Sequence, residues 1–275
     1  MPQHIAFIGA GNMSSALYGG LIHSGYSATD ITATSPEPQI LEAQQKKYGI
    51  HTTTDNLLAA TKADVLVLAV KPQILKHVCI EIASVIQNRK TPPLIISIAA
   101  GVDCSAIQTW LKTNVAIVRC MPNTPALIGV GASGLYANHQ VTSQQKSLAE
   151  TLFKAVGMVE WVDDEDLLNA VTAVSGSAPA YFFLMLEAMQ QTAMKQGLSS
   201  EAARNLAQQT ALGAAKMATE SSLSLSTLMQ NVMSPQGSTE QAIFSLQGDH
   251  FSQIIERAMN ACMERAQTMQ NEFGV

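Results

Sequence analysis

Six residues near the start, Gly9-Ala10-Gly11-Asn12-Met13-Ser14, restrict what this chain can fold into more than any other feature. They follow a short apolar run, His4–Ile8, and open a helical pattern over Met13–Ser24. In such a turn the first glycine permits the sharp bend and the second lets the backbone approach a pyrophosphate. Free N–H groups at the helix start, aided by the helix dipole, then hold the anion. Ser14 stands where a third glycine is usual. An ordinary glycine-rich strand–helix turn is the competing reading. The motif's place on the first strand of an alternating pattern favours the dinucleotide one.

The alternation continues through the first half. Strands are predicted at Asp30–Thr34, Val65–Ala69, Leu94–Ser97, Ala116–Met121, Gly131–Tyr136 and Met158–Trp161, with helices such as Ile74–Val85 and Ser143–Ala155 between them. Val/Ile/Leu-rich runs of this length suit a sheet buried on both faces, and strand–helix alternation implies a mostly parallel, doubly wound one. After Asp163-Asp164 the pattern changes. Tyr181, Leu184, Met185 and Ala188 recur at helical spacing, as do Leu206, Thr210, Gly213 and Met217, with breaks near Ser175, Gly197, Ser221 and Gly248. The expected fold is therefore α/β, a Rossmann-like domain over 1–163 followed by an all-α domain over 164–275.

Only 13% of residues are charged, against about 25% in typical soluble chains. The longest apolar runs, Val65–Val70 and Leu94–Ala100, fall short of the ~18 residues of a spanning helix, so the low charge points to surface hidden in an oligomer. A net charge of −5 without a Lys/Arg run argues against nucleic acid. Met1-Pro2-Gln3-His4-Ile5 does not read as a signal peptide, which with scattered Cys79, Cys104, Cys120 and Cys262 leads us to expect a cytoplasmic protein with buried thiols. Neither cysteines nor histidines have ligand spacing, and no metal is expected.

The second strand ends Thr34-Ser35-Pro36 where NAD-binding proteins place an acid. Two hydroxyls can donate to a 2′-phosphate that a carboxylate would repel, which favours NADP, with NAD as the alternative; Thr34 and Ser35 beginning the next turn is the plainer account. Ligands of an open parallel sheet sit beyond the C-terminal strand ends. Three segments fall there: Ala69-Val70-Lys71-Pro72, Ala99-Ala100-Gly101 and Met121-Pro122-Asn123-Thr124-Pro125. Lys71 as a solvated lysine, and Asn123-Thr124 as a Pro-flanked turn, are the alternatives.

These segments, with Val174-Ser175-Gly176-Ser177-Ala178-Pro179-Ala180-Tyr181 and Ser234-Pro235-Gln236-Gly237-Ser238-Thr239, resemble pyrroline-5-carboxylate reductase along nearly the whole chain. The resemblance implies reduction of the cyclic imine 1-pyrroline-5-carboxylate to L-proline with NAD(P)H, the last step of proline biosynthesis. It implies coenzyme contacts from Gly9, Ala10, Gly11, Asn12 and Met13, from Ser35 and Asn56, from Ala69, Val70, Lys71 and Pro72, from Ala99, Ala100 and Gly101, and from Asn231. It implies substrate contacts from Glu165, Gly237, Ser238 and Thr239. The chain departs from the family at Ala178, at Gln236 in place of the first glycine of Pro-Gly-Gly, and at Ser224-Leu225 in place of a His-Pro pair.

Gly237-Ser238-Thr239 reads as the start of a helix running to Gln247. Free N–H groups there suit a carboxylate, and the Thr239 hydroxyl can orient or relay a proton to the ring nitrogen. The bare residues equally suit plain helix caps. Ser175 and Ser177 either touch substrate or only start a helix. A β-hydroxyacid dehydrogenase would carry a lysine soon after Ser175-Gly176, and none is there before Lys195. A non-catalytic redox sensor would have no use for Ser234–Thr239. The resemblance further implies a homodimer, up to a pentamer of dimers, whose intertwined helices lend Ser238 and Thr239 to the partner's site.

Overall fold

The computed structural model describes residues 3–274; Met1, Pro2 and Val275 lie outside the described residues. Contacts divide the chain into two compact units, 1–177 together with 261–275, and 178–260. By contacts the first unit runs past the 163/164 break in the sequence pattern, to residue 177, and takes in the end of the last helix. Sequence pattern marks where strands cease; packing marks where the next helix stops touching the sheet.

The first unit is built on one eight-stranded sheet in the order β3-β2-β1-β4-β5-β6-β7-β8. The strands are β1 (Ile5–Ile8), β2 (Ile31–Thr34), β3 (His51–Thr53), β4 (Val65–Leu68), β5 (Leu94–Ser97), β6 (Ile117–Met121), β7 (Gly131–Ala137) and β8 (Gly157–Trp161). All neighbours are parallel except β6 and β7. Helices α1 (Asn12–His23), α2 (Pro38–Tyr48), α3 (Asn56–Lys62), α4 (Pro72–Gln87), α5 (Cys104–Leu111), α6 (Ser143–Lys154) and α7 (Leu167–Val171) belong to this unit. Strand β3 escaped the sequence pattern because it is a three-residue edge strand, His-Thr-Thr, with no apolar run to betray it.

Alternate residues of each central strand enter separate cores. Ile5, Phe7, Val65, Val67, Leu94 and Ile96 pack on one face, and Ala6, Ile8, Leu66, Leu68 and Ile95 on the other. The period of two in a strand, applied to a run that is apolar throughout, requires this two-sided burial. Local signals then set the helix ends. Asp55 accepts from Leu58 N, Asp103 from Ala106 N, and Thr142 with Gln145 forms a capping box. Three cysteines are buried as expected; Cys262 is half-buried.

The second unit contains α8 (Ala178–Lys195), α9 (Ser200–Glu220), α10 (Leu225–Val232), α11 (Ser238–Gly248) and the first part of α12 (Phe251–Phe273). Its buried residues, among those described, are Ala178, Ala203 and Ala207. Phe182, Phe183, Leu184, Leu225 and Val232 are each more than 60% exposed within the single chain. Three alanines make no core, so the unit's apolar faces require a partner.

Two sequence expectations are corrected here. The break near Ser175 is a π turn, Thr172–Gly176, inside a helical run from Leu167 to Lys195. That 29-residue run is long and apolar enough to cross a bilayer by length and composition. Counting uninterrupted apolar runs missed it, because Ser, Gly and Pro break the run without making the segment hydrophilic.

Candidate active site

Strand order reverses between β1 and β4, so the crevice of the sheet opens at their C-terminal ends. Gly9 leaves β1 with φ +108°, and a Cβ there would lie 2.6 Å from the Ala69 carbonyl oxygen at the end of β4. The fold itself therefore demands this glycine. Gly11 differs: its φ is −77°, and an added Cβ would meet nothing within 4 Å. No packing of the chain explains Gly11, and the space beside it is open for a ligand's phosphates. Helix α1 begins there without a side-chain cap or an acidic residue in its first turn. Its first N–H groups are left for an anion. Ser14 replaces the third glycine without loss, since it is buried and its hydroxyl donates to the Gly9 carbonyl at 2.7 Å.

The end of β2 joins the same crevice. Gly9 N donates to the Thr34 carbonyl at 3.2 Å. The Thr34 hydroxyl donates to Asn56 Oδ1 at 2.7 Å, and Asn56 Nδ2 to Glu81 at 3.0 Å. Thr34 is 2% exposed. The expectation that both hydroxyls could donate to a 2′-phosphate is corrected for Thr34, whose proton is spent on a buried bond. Ser35 keeps its proton, since its oxygen accepts from Glu37 N at 3.2 Å. Ala69 and Val70 continue β4, and Lys71 caps α4 from an exposed position with Pro72 at the first helical turn. Ala99 is buried beyond β5, and Gly101, at φ +69°, lies against Met269.

Glu165 faces two donors at once. Its Oε1 accepts from Arg119 Nη1 at 2.9 Å and from Cys104 N at 2.7 Å, which caps the start of α5. The Arg119 side chain is only 5% exposed. Sequence reading missed this arginine; a charge inside the otherwise apolar strand Ile117–Met121 was the available signal. Burial, with the Glu165 charge beside it, pushes the Cys104 thiol well up, so Cys104 is an inert packing group. Asn123 proves to be a brace, donating to the Ser175 carbonyl at 3.1 Å and accepting from Ala132 N at 2.9 Å. Ser175 donates back to Val171, and Ser177 accepts from Cys262 Sγ.

In the second unit Asn231 is exposed on α10. Gly237 is the N-cap of α11, and no side chain caps that end. Ser238 and Thr239 are thus not the caps that the bare sequence allowed. Among the described residues neither hydroxyl has a hydrogen-bond partner, and no side chain takes up the first N–H groups of α11. Gln236 holds φ +58°, a left-handed conformation that costs a non-glycine residue about 1–2 kcal/mol. Its N–H donates to Glu240 at 2.9 Å, which holds the loop in place. Gly237 is needed, because a Cβ would lie 2.8 Å from the Ser234 carbonyl.

Residues 165–269 match the family described as pyrroline-5-carboxylate reductase dimerisation, and residues 4–101 match NADP oxidoreductase, coenzyme F420-dependent. A pyrroline-5-carboxylate reductase of Vibrio alginolyticus is 47% identical, across 98% of this chain and 99% of its own. A solved pyrroline-5-carboxylate reductase from Coxiella burnetii is 44% identical with TM-score 0.93, covering 98% of this chain and 99% of that one. A Plasmodium falciparum pyrroline carboxylate reductase, solved with NADP bound, is 29% identical with TM-score 0.86, covering 98% of each chain.

Proposed function

The chain belongs to the pyrroline-5-carboxylate reductase family, and from that premise we propose how its own residues serve the reduction of 1-pyrroline-5-carboxylate to L-proline in proline biosynthesis. The observation that carries this reading is that each unit has an uncapped helix start, one at Gly11, a glycine unexplained by packing, and one at Gly237–Thr239. One takes the coenzyme's pyrophosphate and the other the substrate's carboxylate.

NADPH supplies the hydride when bound. The N–H groups opening α1 hold its phosphates, with Ala10, Asn12 and Met13 along that start, and Ser35, Asn56, the Ala69–Pro72 and Ala99–Gly101 turns and Asn231 placing the remainder. The N–H groups opening α11 hold the substrate carboxylate without a cation, as helix starts do for anions. Thr239, at the second position of that helix, holds the ring nitrogen by its hydroxyl and presents the proton that the reduced nitrogen takes up. Glu165, held in place by its bonds from Arg119 and the α5 start, contacts the substrate. A steady-state assay of NADPH oxidation with pyrroline-5-carboxylate tests the whole reading; absence of turnover in the folded protein would refute it.

Ser35, without a carboxylate at the end of β2, is expected to give NADPH a kcat/KM at least equal to that of NADH. A preference for NADH of ten-fold, about 1.4 kcal/mol, would contradict this. Ser35→Asp is expected to turn the preference toward NADH by repelling the 2′-phosphate.

We place the protein in the cytoplasm, as a homodimer that assembles further into a pentamer of dimers. The exposed apolar faces of α8 to α11 support a dimer, because the second unit buries so little by itself. Light scattering at micromolar concentration is expected to show no active species at the 29.3 kDa of one chain. Mixed dimers of Gly11→Val and Thr239→Val subunits are expected to regain activity, as an interface with two-fold symmetry that shares residues allows. Fully inactive mixtures would show that each site draws on one chain.

A further inference from the structure

We infer that the first unit holds a second ligand site, for a small aliphatic monocarboxylate, in the cavity where Arg119 faces the end of α12. The cavity is about 190 Å³. That is below the roughly 300–1,000 Å³ of a drug-sized site, and fits one small molecule. All its lining residues belong to the first unit; Ala100 and Gly101, from the turn given above to the coenzyme, form one edge of it, and neither Gly237, Ser238 nor Thr239 is among them.

Arg119 carries the argument. It is 4% exposed, and of its three guanidinium nitrogens only Nη1 has a partner, Glu165. Nε and Nη2 have none among the described residues, yet neither is sealed from solvent. Arg119 is itself part of the cavity wall. A buried guanidinium with two unspent N–H groups on one edge is matched by a planar, two-oxygen acceptor.

The rest of the lining agrees in sign. Arg265 is the second cation on the wall, held from behind by Glu272 at 2.8 and 2.9 Å. Ser177 accepts its bond from Cys262 and so keeps a proton to donate. Glu165 and Glu272 balance the two arginines but stand outside the lining. The wall thus offers cations and donors and no carboxylate. Met121, Leu168, Ala266 and Met269 make the remaining wall apolar, which favours a carboxylate on a short hydrocarbon body over a fully hydrated anion such as phosphate. Met269 packs against Gly101, its Cβ 2.8 Å from where a Cβ on Gly101 would lie.

Isothermal titration of isovalerate into the intact enzyme tests this. One saturable site per chain is expected, with Kd on the order of 1 mM because both arginines are already partly neutralised. Isovaleramide, the neutral isostere, and inorganic phosphate are expected to bind at least about 10-fold more weakly. Ala266→Phe fills the cavity from α12 and is expected to remove the site while kcat and KM for imine reduction stay unchanged. Arg265→Gln, at a position whose side chain is 56% exposed and safe for folding, should weaken isovalerate several-fold. Thr239→Val should leave it unchanged. The inference is overturned by no saturable binding to the parent enzyme, by equal binding of isovaleramide or tighter binding of phosphate, by full binding in Arg265→Gln, or by loss in Thr239→Val, which would assign the ligand to the substrate's own anchor.

Discussion

Gly11→Val is expected to abolish NADPH binding in a protein that still folds. The backbone at Gly11, φ −77° and ψ −173°, is extended and open to valine, and no atom lies within 4 Å of the new Cβ. The chain therefore loses nothing in its own packing. What changes is the approach to the first N–H groups of α1, which a branched side chain would cover. An affinity loss of at least about 100-fold, roughly 2.8 kcal/mol, is expected in a fluorescence titration, with the thermal midpoint close to that of the parent. Gly9→Ala is the contrasting control. At φ +108°, with a Cβ 2.6 Å from a backbone oxygen, it should unfold the protein or lower its midpoint sharply. Normal coenzyme affinity in folded Gly11→Val enzyme would remove this turn from the site.

Thr239→Val is expected to lower kcat by roughly 10- to 1,000-fold, the range for a lost proton donor or orienting hydrogen bond. Valine keeps the shape of threonine and removes only the hydroxyl. That hydroxyl caps nothing in the structure, so the change should not unwind α11. The N–H groups at the helix start are untouched, so KM for the imine should move little and NADPH affinity not at all. Thr239→Ser should recover most of the rate. A merely structural threonine would give the opposite pattern, a lower melting temperature with kcat preserved.

The glycine turn and the strand ends beside it were legible because they are local. Gly9, Gly11 and the helix start are neighbours in sequence, and strand ends at Ala69 and Ala99 follow from where apolar runs stop. The hydroxyl of Thr34 was misjudged, because nothing near it in sequence shows that Asn56 waits to accept its proton. Arg119 went unread for the same reason. Its partner Glu165 is 46 residues away, and the cavity that Arg119 lines is closed by α12 from the far end of the chain.

The sequence by itself determined the class of fold, the glycine turn on the first strand and the helical second half, since periodicity and glycine placement act over a few residues. Tertiary structure alone decided four things: the reversed direction of β7 against β6, the edge strand β3, the return of 261–275 to the first unit, and the burial of Arg119 against Glu165. Each depends on which distant surfaces meet. A buried charge or an edge strand is stable only when the groups that satisfy its hydrogen bonds arrive from elsewhere in the chain, and no local pattern records that arrival.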